Sequence, residues 1–372
     1  MKKIGITGQA GFVGSHLYNT IGLFPDQYSR VQFQREWFDD PEAMDDFVKQ
    51  CDVIVHLAGV NRNPDPVALF VANVALGDAL AEALTRTGSS AHVIFSSSTQ
   101  EERDNHYGNS KKVTRQKLES WAAASEGVFT GMLIPNVFGP FGKPFYNSVI
   151  STFCYQLTHG ETPRVEVDAT LNLIYVGELV SEILSVINNR THAPVYRVAA
   201  TSSSAVSTVL NTLNGFRDQY HNSGIIPVLN SKFEINLFNT FRSFQDVESK
   251  NPVKYIQHAD SRGAFTELIR LNVGGQVSFS TTHPGITRGN HFHTRKIERF
   301  SVVKGEALIQ LRKIGTDEVF NFQLSGENPA YVDMPVWYTH NITNTGKDEL
   351  YTVFWINEFF DPADPDTFFE NV

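Results

Sequence analysis

The sequence predicts an α/β domain built on a doubly wound parallel sheet, followed by an all-β sandwich or barrel. Three observations predict it. Up to about residue 134, short apolar runs alternate with helical patterns, which implies parallel strands joined by crossover helices. Beyond Ser249 the helical patterns stop, and β-rich runs follow at short intervals separated by Gly, Asn and Pro, as in antiparallel all-β domains. Between them SFQDVESKNPVKY is polar and contains one proline, a linker-like stretch. The expected division is residues 1–245 and 246–372 of a 372-residue chain.

Taken in order, KKIGIT is a strand that stops at glycines, and a helix is expected from Gly14 to about Leu23. RVQFQ is strand-like, MDDFVKQ a short helix, and DVIVHLAG a buried strand running into a loop. The apolar-periodic PVALFVANVALGDALAEALTRTG predicts a long helix, and AHVIFSSS and GVFTGMLI predict two more strands. Residues 141–242 are less regular and are expected to add helices and loops over a substrate cleft. In the second half FTELIRL, GQVSFSTTH, ERFSVVKG, EALIQLRK, EVFNFQLS, AYVDMP and ELYTVFWINEFF are the expected strands.

Composition excludes several classes. At 41% hydrophobic and 19% charged, the chain can bury an ordinary core without disulfide or metal staples. A net charge of -9 argues against a nucleic-acid or anionic-membrane partner. The two cysteines, Cys51 and Cys154, exclude a disulfide framework, follow no metal or redox spacing, and are expected in the core. MKKIGITGQAG lacks a signal peptide's apolar stretch, and no apolar run reaches 18 residues. A cytoplasmic protein without a membrane span is therefore expected.

Gly8, Gly11 and Gly14 follow the first strand at the mouth of a helix. Glycines there let the backbone approach a pyrophosphate, and the helix N-terminus offers free N–H groups. Arg35 closes RVQFQR, where a binder of the 2′-hydroxyl has an acidic residue. A cation suits the 2′-phosphate of NADP instead. In YGNSK, Tyr107 and Lys111 are four residues apart, on one face of a helix. An ammonium beside a phenol is expected to lower its pKa and help it protonate a carbonyl oxygen that receives hydride. Ser98, at the end of FSSS, is placed to hydrogen-bond the same oxygen.

TGQAGFVG, DVIVHLAG, SSS, YGNSK and PNVFGP, in that order, resemble an extended short-chain dehydrogenase/reductase with a Rossmann-type sheet. The resemblance spans about residues 1–240 and is strongest to nucleotide-sugar epimerases, dehydratases and reductases. It implies that Ser98, Tyr107 and Lys111 are catalytic. It also implies that Gly8, Gly11, Phe12, Val13, Gly14, Arg35, His56, Leu57, Ala58, Pro135 and Asn136 hold the cofactor along with Tyr107 and Lys111. Asn73 would support the sheet or the cofactor. The pair Gly177-Glu178 departs from the acidic pair found in many relatives.

The stretch GITRGNHFHTRKIERFSVVKG carries a second chemistry. His291 and His293 are i and i+2, on one side of a strand. Glu298 can join them from the next strand, and His340 follows another β-rich run. Three imidazoles and a carboxylate suit Zn, Fe, Mn, Ni or Co. The spacing of Gly285, His291, His293, Glu298 and Gly305, with Pro335, His340 and Asn344 later, resembles the two motifs of the cupin barrel. Trp337 and Pro329 stand where the second motif usually has glycines. DSRGAFTE and TRGNHFH also resemble the sugar 3,5-epimerase branch of cupins, in which the base role would fall on His291 and compete with metal ligation.

An extended reductase joined to a cupin resembles the CapF-type bifunctional enzymes of capsular polysaccharide synthesis. The resemblance implies a homodimer acting on a UDP-2-acetamido-2,6-dideoxy-L-hexos-4-ulose. The cupin would epimerise C3, with one divalent ion, expected to be zinc, and with Tyr338 as a proton donor. The reductase would then reduce the C4 ketone with NADPH. Three other readings stay open: a cupin that only dimerises the chain or binds sugar, one that performs 3,5-epimerisation, and a non-enzymatic NADP sensor.

Overall fold

The structure, a computed structural model, describes residues 1–261 and 263–372; Arg262, within DSRGAFTE, lies outside the described residues. The chain divides into two compact units, Met1–Thr152 with Val165–Ser207, and Phe153–Arg164 with Thr208–Val372.

The first unit is built on nine strands: β1 (Lys2–Thr7), β2 (Tyr28–Val31), β3 (Val53–His56), β4 (His92–Ser98), β5 (Val128–Ile134), β6 (Asn136–Phe138), β7 (Thr170–Tyr175), β8 (Ala193–Arg197) and β9 (Ser202–Ala205). Six of them form one sheet in the order β2-β1-β3-β4-β5-β8, with every pair parallel. Helices α1 (Phe12–Gly22), α2 (Pro41–Gln50), α3 (Pro66–Arg86) and α4 (His106–Ala123) are the crossovers, and α5 (Val149–Thr158) and α6 (Val176–Asn189) follow. Their starts are written locally. Asp40 accepts from the N–H groups of Glu42 and Ala43, and Asp65 from those of Val67 and Ala68. Each is followed by a proline that costs the first turn no hydrogen bond.

Both faces of this sheet are buried, so its strands are apolar runs rather than alternating ones. Val53, Val55, Ile94 and Met132 point to one side and pack with Leu17 of α1 and Ile183 of α6. Ile54, Val93, Phe95 and Phe129 point to the other and pack with Phe47, Leu80 and Leu118 of α2, α3 and α4. Each such side chain contributes about 1.5–3 kcal/mol on burial. By length and composition α3 is apolar enough to cross a membrane, but Leu80, Ala83 and Leu84 on it belong to this core.

The stretch expected to add only helices and loops also adds strands. β8 completes the large sheet, and β6-β7-β9 form a separate one. These strands run only three to six residues, too short for a periodic pattern to stand out.

In the second unit two five-stranded sheets face each other. One has the order β10-β18-β15-β20-β13 and the other β17-β16-β19-β14-β21. Their strands are β10 (Val253–Lys254), β13 (Gln276–Thr282), β14 (Thr287–Phe292), β15 (Glu298–Lys304), β16 (Glu306–Lys313), β17 (Val319–Ser325), β18 (Ala330–Met334), β19 (Tyr338–Asn344), β20 (Leu350–Ile356) and β21 (Phe368–Phe369), while β11 (Gln257–Asp260) and β12 (Gly263–Thr266) make a separate hairpin. The pairing is antiparallel throughout. Val302, Ile309, Leu311, Phe322, Val332 and Ile342 fill the space between the sheets. This is the antiparallel cupin architecture that the sequence predicts. FTELIRL departs from expectation, because strand structure ends at Thr266.

Candidate functional site

In the first unit the chain leaves β1 for β2 on one side and returns to β3 on the other. The two crossovers diverge and open a crevice at the carboxyl ends of β1 and β3, where such sheets bind ligands. A cavity of about 890 Å³ lies there, ample for a dinucleotide half with a sugar beside it. Gly8, Gly11, Phe12, Val13, Gly14, Leu57, Ala58, Ser98, Tyr107, Lys111, Pro135 and Asn136 line it.

Two of the glycines are required sterically. Gly8 has φ +77°, and a Cβ on it would lie 2.8 Å from the Ala58 nitrogen. A Cβ on Gly14 would lie 2.1 Å from the Gly8 carbonyl oxygen. The N-terminus of α1 has no side-chain cap at Gly11 and no acidic residue in its first turn. Its N–H groups and positive dipole end therefore suit a phosphate, so these residues fit a dinucleotide.

Three predicted residues stand outside the lining. His56 is buried, paired with the Thr7 hydroxyl at 2.7 Å and stacked on Phe95. Burial, reinforced by the Lys111 charge, pushes its imidazole down to about 3, so it is neutral. Asn73 clasps the loop after β3: it accepts from the Val60 N–H at 2.6 Å and donates to the Val60 carbonyl and the Ser110 hydroxyl. Arg35 is exposed and begins a 3-10 turn after β2. That strand end adjoins the glycine turn, because the Gln9 side chain donates to the Phe33 carbonyl at 3.0 Å.

Ser98, Tyr107 and Lys111 come together on β4 and α4. The Lys111 ammonium donates to the Ser96 carbonyl at 3.1 Å and lies 5.9 Å from the centroid of the Tyr107 ring. Burial pushes Lys111 down to about 8, with the Glu101 charge opposing. The phenol departs from expectation. Burial, with a contribution from Tyr146, pushes Tyr107 up to about 12, where the lysine was expected to lower it. Desolvation outweighs an ammonium that is directed at a backbone carbonyl and held over the Phe95 ring.

Sequence reasoning missed Tyr146, which lines the same cavity. Its hydroxyl accepts from the Asn61 N–H at 3.1 Å, and Arg62 donates to the carbonyls of Phe145 and Tyr146. These bonds join two loops that carry no periodic signal. Glu178, the acidic residue of the departing pair Gly177-Glu178, is a helix-start residue: its carboxylate accepts from the Tyr175 N–H and the Thr201 hydroxyl.

In the second unit His291, His293, Glu298 and His340 converge, with their ligand atoms all within 4.8 Å of one another. The cluster bridges the two sheets. Glu298 opens β15 of one sheet, while His291, His293 and His340 come from β14, the turn after it, and β19 of the other. A bulge at Asn290 re-aims the ladder so that His291 stands opposite His340. Gly289 has no room for a side chain, since a Cβ there would lie 2.8 Å from the His340 carbonyl oxygen. Trp337 adopts φ +63°, so it keeps the left-handed turn usual for the motif's glycine. Its N–H donates to the His293 carbonyl at 2.8 Å.

The Glu298 carboxylate lies 3.0 Å from His293 Nε2 and 3.2 Å from His340 Nε2. None of these three buried atoms makes a hydrogen bond of normal alignment. That is the arrangement a shared cation satisfies, and the nitrogen and oxygen donor set fits a divalent ion. Burial alone would raise the Glu298 carboxyl, but the two imidazoles outweigh it and hold the group well below the carboxylate range. Burial, then the neighbouring His340 and His293, pushes His291 down to about 4. Tyr338 begins β19, and its carbonyl faces His340 Nδ1 at 3.2 Å. Burial, with nearby Glu318 and Asp246, pushes its phenol up to about 12.

The chain matches the NAD dependent epimerase/dehydratase family over residues 4–199 and the polysaccharide biosynthesis C-terminal domain over residues 258–368. It is 32% identical over 372 residues, with 98% of each chain covered, to the UDP-2-acetamido-2,6-beta-L-arabino-hexul-4-ose reductase of Pseudomonas aeruginosa. It is 34% identical, over the full length of both chains and with a TM-score of 0.63, to the capsular polysaccharide assembling protein CapF of Staphylococcus aureus. The chain belongs to the CapF-type family. It is a nucleotide-sugar enzyme of the reductase/epimerase type. RMD of Pseudomonas aeruginosa, solved in complex with NADPH, is 21% identical over 59% of this chain and 83% of its own, with a TM-score of 0.53; that likeness shows the fold of the CapF-type reductase half.

Proposed function

We propose that the chain is bifunctional. Residues 246–372 epimerise C3 of a UDP-2-acetamido-2,6-dideoxy-L-hexos-4-ulose. Residues 1–245 then reduce its C4 ketone with NADPH to UDP-2-acetamido-2,6-dideoxy-β-L-talose, on the route to UDP-N-acetyl-L-fucosamine for bacterial surface polysaccharide. The observation that carries this reading is the presence of two chemical centres in one chain: a Ser98–Tyr107–Lys111 cleft and a buried His–Glu cluster. The full-length likeness to a UDP-sugar 4-ketone reductase supports the substrate class.

NADPH supplies the hydride. Tyr107 delivers a proton to the ketone oxygen, Ser98 holds that oxygen, and Lys111 keeps a positive charge beside them. The Ser98 oxygen accepts from the Gln100 N–H at 3.1 Å, leaving its O–H to donate. In the cupin, a divalent ion, which we take to be zinc, held by His291, His293, Glu298 and His340 would supply Lewis acidity. A proton α to a ketone is acidic only when the enolate is stabilised, so C3 must epimerise while the C4 ketone survives. Reduction therefore comes second.

Incubation of the protein with the UDP-4-ketosugar tests the proposal. Without NADPH in D₂O, deuterium should enter at C3; with NADPH, the talose product should appear by NMR. Reduction without C3 exchange would leave the cupin a binding or dimerising module. A second expected result concerns the cofactor. Arg35→Ala should raise the Michaelis constant for NADPH by about 10–100-fold, the range for lost charge-assisted hydrogen bonds, with NADH nearly unaffected. An equal response from both cofactors would assign Arg35 a structural role.

A further inference from the structure

Resting on the metal reading of the His–Glu cluster, we infer that Asp366, in the C-terminal tail, is a positioning residue that sets the ring of His293 for ligation. A carbonyl oxygen only accepts, so the Asp366 main-chain carbonyl, which meets His293 Nδ1, requires the proton on Nδ1. His293 Nε2 is then left with its lone pair, and it faces Glu298 and the other imidazoles. Such outer partners fix the tautomer and orientation of a ligating histidine.

The side chain of Asp366 holds that carbonyl in place. One carboxylate oxygen accepts from the N–H of Thr294 at 3.1 Å and from its hydroxyl at 2.6 Å. The other accepts from the N–H groups of Arg295 and Lys296, each at 3.0 Å. Four donors from the turn directly after His293 thus converge on one carboxylate, which is 3% exposed as a residue. Asp366 sits at φ +42°, a left-handed conformation that a short polar side chain tolerates better than most. The tail beyond it is part of the same clamp: Phe369 pairs with His291 in the ladder between β14 and β21, and the Glu370 N–H donates to the Asn290 carbonyl at 3.0 Å. Sequence spacing gives no hint of this, because Asp366 lies far from the motif and outside any periodic run.

The test compares the parent with Asp366→Ala and Asp366→Asn by two readouts. Long-range ¹H–¹⁵N NMR of metal-free protein reports the His293 tautomer, assigned by the signals lost in His293→Gln. Titration with cobalt(II), followed by its visible absorption, reports affinity. The parent should carry a proton on Nδ1, as the carbonyl acceptor there requires. Asp366→Ala should lose it and bind cobalt about 10–100-fold more weakly, the range for outer-shell changes. Asp366→Asn keeps the side-chain volume but sets an amide NH₂ against N–H donors, so it should shift the same way and covers the case of an alanine variant that fails to fold. An unchanged tautomer, or unchanged cobalt affinity in a variant of a cobalt-binding parent, overturns the inference. If the parent takes up no cobalt, the metal reading of the site fails, and the tautomer comparison alone still decides the role of Asp366.

Discussion

Tyr107→Phe is expected to lower ketone reduction by about 10²–10⁴-fold, the usual contribution of a positioned acid. The substitution removes one oxygen from a half-buried ring and leaves the packing of α4 intact. Five other residues with hydroxyls line the cavity, Ser96, Ser97, Ser98, Ser148 and Tyr146, and none can take over. The serines are aliphatic alcohols and far weaker acids than a phenol. The Tyr146 phenol sits on a different loop, outside the Ser98–Tyr107–Lys111 cluster, with its oxygen held at the Asn61 N–H. The loss should fall on kcat, with the Michaelis constant for the ketone nearly unchanged, because the proton is transferred only in the transition state. The measurement is NADPH consumption on an already epimerised ketone. Deuterium exchange at C3 without NADPH should survive in the same variant. Near-parental NADPH consumption would sink the Ser98–Tyr107–Lys111 assignment.

The second large effect is expected at the cupin centre. His340 is 1% exposed, and its Nε2 is one of the three buried atoms that make no aligned hydrogen bond. His340→Ala removes one of the two imidazoles that hold the Glu298 carboxyl low. Metal content and C3 exchange should fall together, by more than about 10²-fold in affinity, since outer-shell changes alone reach that range. Reduction of an epimerised ketone should remain, because its residues belong to the first unit. Elemental analysis decides between two accounts of the parent enzyme. Less than about a tenth of an equivalent of metal in fully active protein would eliminate the ion, whose binding a structural or catalytic site requires in stoichiometric amount. His291 would then be left as the base.

The glycine turn and the histidine pair were legible because their requirements are local. Gly14 must lack a side chain because Gly8, six residues earlier, turns back against it. His291 and His293 share a side because a strand alternates every second residue. Tyr146 and Asp366 were not legible. The side chain of each accepts from backbone N–H groups of a distant loop or turn, and no residue type or spacing marks such a bond.

By itself the sequence determined the alternation of strands and helices, the change to all-β rhythm after Ser249, and the motifs that bring the chain into a known family. These follow from periodicity, turn chemistry and steric exclusion, which act within a few residues of one another. Only the tertiary structure decided the sign of the Tyr107 shift, the joining of β8 to the large sheet, and the left-handed turn at Trp337. It also decided which tail residue faces His293. The physical reason is common to all four. Desolvation, strand order and long-range hydrogen bonds depend on which non-neighbours pack together, and that is settled only when the whole core closes.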